Sequence, residues 1–143
     1  MRNSTVLAVL AVLALLPTSL ASVSSTIIRN SRDPELNSTL DAVSFTNEAW
    51  IDVGYVDNAT WIGHVMFTPF ARTFWHRHEG GSSSRGGKPL RLHTGDTAWC
   101  PPGIVHWHGA DECSYMMHFA AAYGATEWLE EVSAEEYAAK SDK

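Results

Sequence analysis

Positive charge is scarce in this chain of 143 residues. Lysine and arginine together number 10, against 16 aspartate and glutamate residues, and the formal net charge is −6 with neutral histidines. Proteins that bind nucleic acid present a basic patch or stripe to the phosphates, and no such stripe occurs in this sequence. We therefore expect no nucleic-acid partner, and the length predicts a single domain.

Cysteine is equally rare. The chain has two, Cys100 and Cys113, which allow at most one internal disulfide. They flank a strand-like segment and could be bridged across its loop in an oxidising compartment. The alternative is a pair of buried free thiols.

The apolar run near the start of the chain, Val6 to Leu16, is too short to cross a bilayer, which takes about 20 residues in a helix. With Arg2 before it and small residues after it, the run is typical of a secretory signal peptide over residues 1–21, an uncleaved anchor being the alternative. We expect a secreted, extracellular protein with no membrane partner after cleavage. Export would make the sequons at Asn37 and Asn58 plausible glycosylation sites.

Histidine is arranged in two pairs, His76-Arg77-His78 and His106-Trp107-His108. Alternate residues of a strand point to the same face, about 6.6 Å apart along it, so each pair directs two imidazoles to one side. One such pair is weak evidence, but two pairs, each beside a Gly or Pro-Gly turn, are strong evidence for a metal site inside a barrel. Imidazole is a usual ligand for transition metals, and three histidines leave coordination positions open for a substrate.

The rest of the chain predicts an all-β architecture, a sandwich or barrel of short strands separated by Gly, Pro, Asn and Asp. The predicted strands are Ala49 to Val56, Thr60 to Thr68, Arg72 to His78, Leu90 to His93, Thr97 to Cys100, Ile104 to His108 and Ser114 to Ala120. Helix-forming residues follow from Thr126 to Lys140, with Ser133 and Glu136 in capping-box spacing. We divide the chain into a signal peptide (1–21), an N-terminal arm (22–42), the barrel (43–125) and a C-terminal helix and tail (126–143).

Three motifs resemble those of a known family. Gly95-Asp96-(x)4-Pro101-Pro102-Gly103-(x)2-His106-Trp107-His108-Gly109-Ala110 is similar to the second cupin motif, and Thr68 to His78 is similar to the first. A later Met-x-His strand, at Met116 to His118, completes the pattern of the small single-domain cupins that include manganese-dependent hydroxynitrile lyases and many fungal proteins. The resemblance runs from about Phe45 to Tyr137 and implies a single jelly-roll β-barrel.

The doubled motif and the resemblance together assign His76, His78 and His106 as ligands of one divalent transition metal ion (Mn, Fe, Zn or Ni). The alternative is three buried neutral histidines, which would need hydrogen-bond partners. The resemblance further implies that His108 and His118 are catalytic acid-base residues beside the metal, against a role as supporting or core histidines. His64 and His93 match nothing in the family and are expected at the surface or at an edge.

The segment from Glu79 to Lys88 is Gly/Ser-rich and departs from the family, which places a strand-turn-strand here. The family's fourth ligand, a Gln, falls at Ser82, and a hydroxyl ligates divalent ions poorly. Glu79 could replace it only if the loop begins immediately after His78, because adjacent strand residues point to opposite faces. The protein therefore either uses three histidines or is a variant form that lacks a functional piece.

Two further features concern what the site would bind. Arg72 lies on the same face as His76 and His78 by strand alternation, and it could hold a carboxylate or form a structural ion pair. The chain has many aromatic residues, and with Met116 they fit two interpretations. They pack in the core, or some of them line a pocket for a small, apolar or aromatic ligand.

We therefore expect a secreted metal-dependent cupin enzyme that acts on a small organic molecule (a carbonyl, hydroxy or aromatic acid compound), by a lyase or decarboxylase-type reaction. The alternatives are a cupin dioxygenase or other oxidoreductase, and a non-catalytic extracellular protein that binds a metal or small ligand. The exposed apolar edges of such a barrel also predict a homodimer.

Overall fold

The computed structural model describes residues 25, 27, 38–79, 84–85 and 87–139. The expected signal peptide, the Asn37 sequon, most of the N-terminal arm and Ser82 lie outside these residues. Among the described residues, no helix is long and apolar enough to cross a membrane.

Strands make up nearly all of the regular secondary structure of the described residues, which confirms the predicted class. The strands are β1 (Ser38–Asp41), β2 (Phe45–Thr46), β3 (Ala49–Val56), β4 (Thr60–Phe67), β5 (Arg72–Thr73), β6 (His76–His78), β7 (Ser84–Arg85), β8 (Ile104–Val105), β9 (Met116–Tyr123) and β10 (Thr126–Trp128). One short helix, α1 (Ala134–Ala138), follows them.

An antiparallel sheet in the order β1-β3-β4-β9 forms one side of the molecule. Alternate residues of β4 face inward, and Val65 and Phe67 are buried. Asp57 shapes the turn between β3 and β4, because its Oδ1 accepts hydrogen bonds from the backbone N–H groups of Ala59 and Thr60. The inward side chains form a buried core beneath the sheet: Phe45, Ala49, Val65, Phe67, Ala71 and Ala110.

Smaller strand pairs build the opposite side. β2 pairs with β5 and β10 pairs with β6, both antiparallel, whereas β7 and β8 are parallel. A second core lies here, made of Trp75, Val105, Val132 and Tyr137. Gly109 permits close approach of its backbone to β5, because a Cβ at this position would lie 2.5 Å from the carbonyl oxygen of Ala71.

The predicted strand from Arg72 to His78 is interrupted. At Phe74 and Trp75 the backbone changes partners, because the N–H of Phe74 donates to the carbonyl of Ser44 and that of Trp75 to the carbonyl of Glu130. The chain thereby passes from β2 to β10, and simple alternation no longer relates the residues before the break to those after it.

The C-terminal prediction is half right. Ser133 and Glu136 form the capping box and α1 follows them, but the helix covers only Ala134–Ala138. Residues Thr126–Trp128 form β10 instead, since the edge of β6 offers backbone hydrogen bonds that local helix propensity cannot match.

Other predicted strands differ in extent or are absent. β3 has the predicted bounds, β4 ends one residue earlier, β8 is shorter than predicted and β9 runs on to Tyr123. Leu90 to His93 and Thr97 to Cys100 are not strands, and Leu90 and Trp99 are 74% and 73% exposed. A strand needs a neighbouring strand, and none of the strands in the described part of the chain is paired with either stretch. The expectation of buried thiols is also wrong, because Cys100 and Cys113 are both free and exposed.

Candidate functional site

The centre of the candidate site is a close pair of histidines on facing backbone segments. His76 begins β6 and His106 follows β8, and their backbones exchange two hydrogen bonds of 2.9 Å. Their ring centroids are 4.3 Å apart. His78, two residues further along β6, places its ring 5.2 Å from that of His76 and 5.5 Å from that of His106.

These three side chains offer ligand atoms that all lie within 4.8 Å of one another. The rings of His76 and His106 are held in the same way: Nδ1 of His76 donates to the carbonyl of Phe74 at 3.0 Å, and Nδ1 of His106 donates to the carbonyl of Ile104 at 2.9 Å. A carbonyl can only accept, so the proton is on Nδ1 and the lone pair of a neutral ring is on Nε2. This arrangement fits a metal ion, which binds the neutral imidazole.

The third ring is held by a side chain. Nδ1 of His78 lies 3.1 Å from Oγ1 of Thr126, its cross-strand neighbour in β10. All three histidines thus have Nδ1 in a hydrogen bond, which leaves Nε2 as the ligand atom of each.

Burial keeps the rings in the ligating form. It lowers the pKa of His76 from 6.5 to about 3, with smaller effects of its histidine neighbours, and it also lowers the pKa of His78. Both rings are neutral at neutral pH, so a metal ion would not have to displace a proton from either.

Two more histidines line the same space. The ring of His108 is 4.7 Å from that of His118 and 5.1 Å from that of His76. Phe67 packs edge-on against both His108 and His118, with centroid distances of 5.6 and 5.5 Å. Neither Nδ1 of His108 nor Nε2 of His118 has a hydrogen-bond partner among the described residues, and both atoms are buried. Each therefore lacks the hydrogen-bond partner that a buried polar atom usually has.

Burial lowers the pKa of both of these rings as well. That of His118 falls from 6.5 to about 4, and that of His108 falls well below 6.5, with further lowering by the neighbouring histidines. Each is a neutral imidazole at neutral pH and can accept a proton.

Comparison with known proteins identifies the family. No protein-family model matches the chain. It is 36% identical over 88 residues to the (R)-mandelonitrile lyase of Granulicella tundricola, a match that covers 51% of this chain and 67% of that protein. The crystal structure of a cupin-like protein from Thermotoga maritima has a TM-score of 0.63 and 34% sequence identity, over 72% of this chain and 92% of that one. The chain is a cupin.

The cupin is also shorter than its Granulicella relative within the matched stretch. An 88-residue match that takes up only 51% of a 143-residue chain contains gaps in this chain. The expected shortening between His78 and Leu90 stays a prediction, since the match does not locate the gaps.

The cupin site does not include Arg72, and the expectation that it shares a face with the histidines is wrong. Because the strand breaks before His76, the buried guanidinium turns to the C-terminal segment instead. Its Nε and Nη2 donate to the carbonyl of Val132 at 3.1 and 2.9 Å, and it stacks on the ring of Tyr137 at 5.0 Å. Arg72 is a structural residue that fastens this segment to the barrel.

The other candidates also lie apart from the three-histidine cluster. Glu79 does not join it: its exposed side chain lies against Gly124, where a Cβ would overlap it. His93 is exposed, as expected. His64 is half-buried and packs edge-on against Phe119 at 5.5 Å, on the β4–β9 face away from the core.

Sequence reasoning missed two residues of the site, Thr126 and Trp128, because it assigned them to a helix. Thr126 holds His78, and the ring of Trp128 lies 4.8 Å from that of His76. The available signal was alternation: a β-branched and an aromatic residue two positions apart favour a strand.

Proposed function

We propose that this cupin is a metal-dependent lyase that cleaves a C–C bond beside an oxygenated carbon in a small organic molecule, with cyanohydrins as the first substrate class. The observation that carries the proposal is the three-histidine cluster, with each Nδ1 engaged and each Nε2 free, next to two neutral histidines with unpartnered ring nitrogens. The name of the Granulicella relative, 36% identical, supports the choice of a cyanohydrin.

In this proposal His76, His78 and His106 hold one divalent ion, and the resemblance to hydroxynitrile lyases favours manganese among Mn, Fe, Zn and Ni. A bound divalent ion supplies Lewis acidity toward an oxygen of the substrate. His108 and His118 are the acid-base residues. One of them accepts the hydroxyl proton while the C–C bond breaks and its electron pair leaves with cyanide. The imidazolium then returns that proton to cyanide, so the products are an aldehyde and hydrogen cyanide.

The exposed ring of Trp128 favours an aromatic substrate. It lies beside His76 and is 43% exposed, whereas Phe67, which packs against both proposed acid-base histidines, is fully buried. An exposed aromatic face binds a ring better than a charged group. The carboxylate-binding role considered for Arg72 is not part of the proposal, since that guanidinium is engaged with Val132.

The test combines metal analysis with an activity assay. The natively purified protein should contain one divalent transition ion per chain and should release benzaldehyde from (R)-mandelonitrile. His106→Ala should lose the stoichiometric metal and the activity, with little change in the far-UV spectrum. Undiminished metal in both His106→Ala and His76→Ala would overturn the ligand assignment, and a metal-loaded protein inert toward cyanohydrins would overturn the reaction.

A non-catalytic metal-binding cupin is the second candidate. The observation that favours it is the stretch around Leu90 and Trp99, which carries no strand and is exposed to water. Metal binding without turnover of cyanohydrins, aromatic acids or hydroxy-ketones would support it. Turnover that depends on oxygen would instead support an iron-dependent oxygenase.

We also propose that the protein is exported and that residues 1–21 are removed. N-terminal sequencing of the protein recovered from the culture medium of its host tests both points.

A further inference from the structure

The three histidines of the cluster are not held alike. His76 and His106 each donate from Nδ1 to the carbonyl of the residue two positions earlier, at 3.0 and 2.9 Å. Both anchors are backbone atoms, so a substitution cannot remove them. The anchor of His78 is a hydroxyl, Oγ1 of Thr126, at 3.1 Å.

The equivalent backbone anchor for His78 would be the carbonyl of His76. That carbonyl is directed across to the facing segment, where it accepts the N–H of His106 at 2.9 Å. The strand pairing offers a replacement instead, because Thr126 stands directly opposite His78 in β10. A hydroxyl at this register meets the ring of its neighbour across the pair.

His78 needs such an anchor more than His76 does. It is the last residue of β6, it is only half-buried, and the residue after it is exposed. His76, by contrast, is 2% exposed and is fixed by its surroundings. An unanchored ring at the end of a strand would lose rotational freedom on binding a metal ion, and that loss would weaken the complex.

We infer that Thr126 is the positioning residue of the cluster: its hydroxyl fixes the ring of His78 so that Nε2 faces the other two ligand atoms. The inference rests on the proposed metal site and deepens it. When Nε2 holds the ion, Nδ1 carries the proton and Oγ1 of Thr126 accepts it in a hydrogen bond. Thr126 touches neither the metal ion nor the substrate.

The test uses Zn²⁺ alone as the probe, so that it does not depend on turnover. Thr126→Val removes the hydroxyl and keeps the branched shape, whereas Thr126→Ser keeps the hydroxyl. The matched control is Thr46→Val, because Thr46 is also a strand threonine whose hydroxyl bonds a side chain, that of Glu131 at 2.7 Å, in a different strand pair. We measure Zn²⁺ affinity by competition with a chelator, the rate of Zn²⁺ loss, and the melting temperature of each metal-free protein.

Thr126→Val should bind Zn²⁺ about 10- to 100-fold more weakly and lose it faster, as expected when the partner of a metal-binding histidine is removed. Thr126→Ser and Thr46→Val should match the wild type, and the metal-free melting temperatures of Thr126→Val and Thr126→Ser should agree. If Thr126 only stabilised the β6–β10 pair, Thr126→Val would lower the melting temperature of the metal-free protein, and Thr126→Ser would not restore Zn²⁺ affinity. If Thr126→Val does not fold, Thr126→Ala replaces it in the comparison.

The possible results distinguish failure of the positioning role of Thr126 from failure of the proposed metal site. Zn²⁺ binding by the wild type with equal affinity in Thr126→Val would overturn the role of Thr126 alone. A wild type that binds no Zn²⁺ would overturn the metal site and the positioning role together.

Discussion

At the scale of single residues, the hydrogen bonds of the ring nitrogens divide the five clustered histidines into two kinds. In His76, His78 and His106 the Nδ1 atom is engaged and Nε2 is free, whereas His108 and His118 each keep a buried ring nitrogen without a partner among the described residues. The first pattern suits a ligand with a fixed ring, and the second suits a group that exchanges a proton with a bound molecule.

This division predicts the behaviour of a His108 variant. His108→Ala should retain the divalent ion and lose most of the cyanohydrin-cleaving activity, by about 10²- to 10⁴-fold, as is typical for an acid-base residue. Metal content and kcat are measured on the same preparation. His93→Ala is the control, because His93 is exposed and away from the cluster. Loss of the metal from His108→Ala would make His108 a ligand and contradict its proposed role.

Buried histidines also predict how stability depends on pH. The pKa is about 3 for His76 and about 4 for His118 in the folded chain, against about 6.5 for a histidine in an unfolded one. Below pH 6.5 the unfolded state therefore binds protons that the folded state does not, and the free energy of unfolding falls as the pH falls toward 4. Denaturant titrations of the metal-free protein between pH 7.5 and about 5 test this, in a range above the usual carboxylate pKa values.

A variant of the same protein provides a control for the pH test. His118→Gln removes one of the depressed groups and should reduce the slope of stability against pH. Equal stability of the metal-free wild type at pH 7 and pH 5 would contradict the prediction.

At the scale of elements, the sequence predicted the features that follow from local repeating patterns and missed those that depend on a paired strand. The strand β3 and the capping box at Ser133 follow from local patterns. Alternation along β6 directs His76 and His78 to one side, and a β-bridge sets His106 opposite His76. The strand β10 was missed because its alternation signal is only three residues long and helix-forming residues follow it, whereas in the fold its pairing with β6 decides. The break at Phe74 was equally hidden, because it depends on backbone partners distant in sequence.

The shortened segment after β6 gives an element-scale prediction. The stretches around Leu90 and Trp99 carry no strand and are exposed, as expected if the element that should pair with them is missing. Insertion of a β-hairpin of about eleven residues after Gly81, beginning with Gln, should raise the melting temperature and slow the loss of metal to a chelator. A Gly/Ser insertion of equal length is the control and should do neither. If the wild type already matches the hairpin variant on both measures, the short segment is a working feature of this cupin.

The whole molecule has a broad apolar surface on the outer face of the sheet β1-β3-β4-β9. Leu40, Trp50 and Met66 lie side by side across β1, β3 and β4 and are 45%, 37% and 37% exposed. Phe119 and Tyr123 continue the face on β9 and are 62% and 61% exposed. Asp52 and His64 also lie on this face, but exposed apolar side chains grouped in this way on a single chain are typical of an interaction surface.

We therefore expect a homodimer in which this face is covered by a second copy, because burial of its apolar area would favour association. Light scattering at micromolar concentration should give twice the monomer mass. Phe119→Lys places a charge on the face at a side chain that is already mostly exposed, so it should yield a folded monomer. Val43→Lys is the control: Val43 is 85% exposed but lies between β1 and β2, off the sheet, and this variant should remain dimeric. A monomeric wild type would contradict the prediction, and a dimeric Phe119→Lys would move the interface to another face of the barrel.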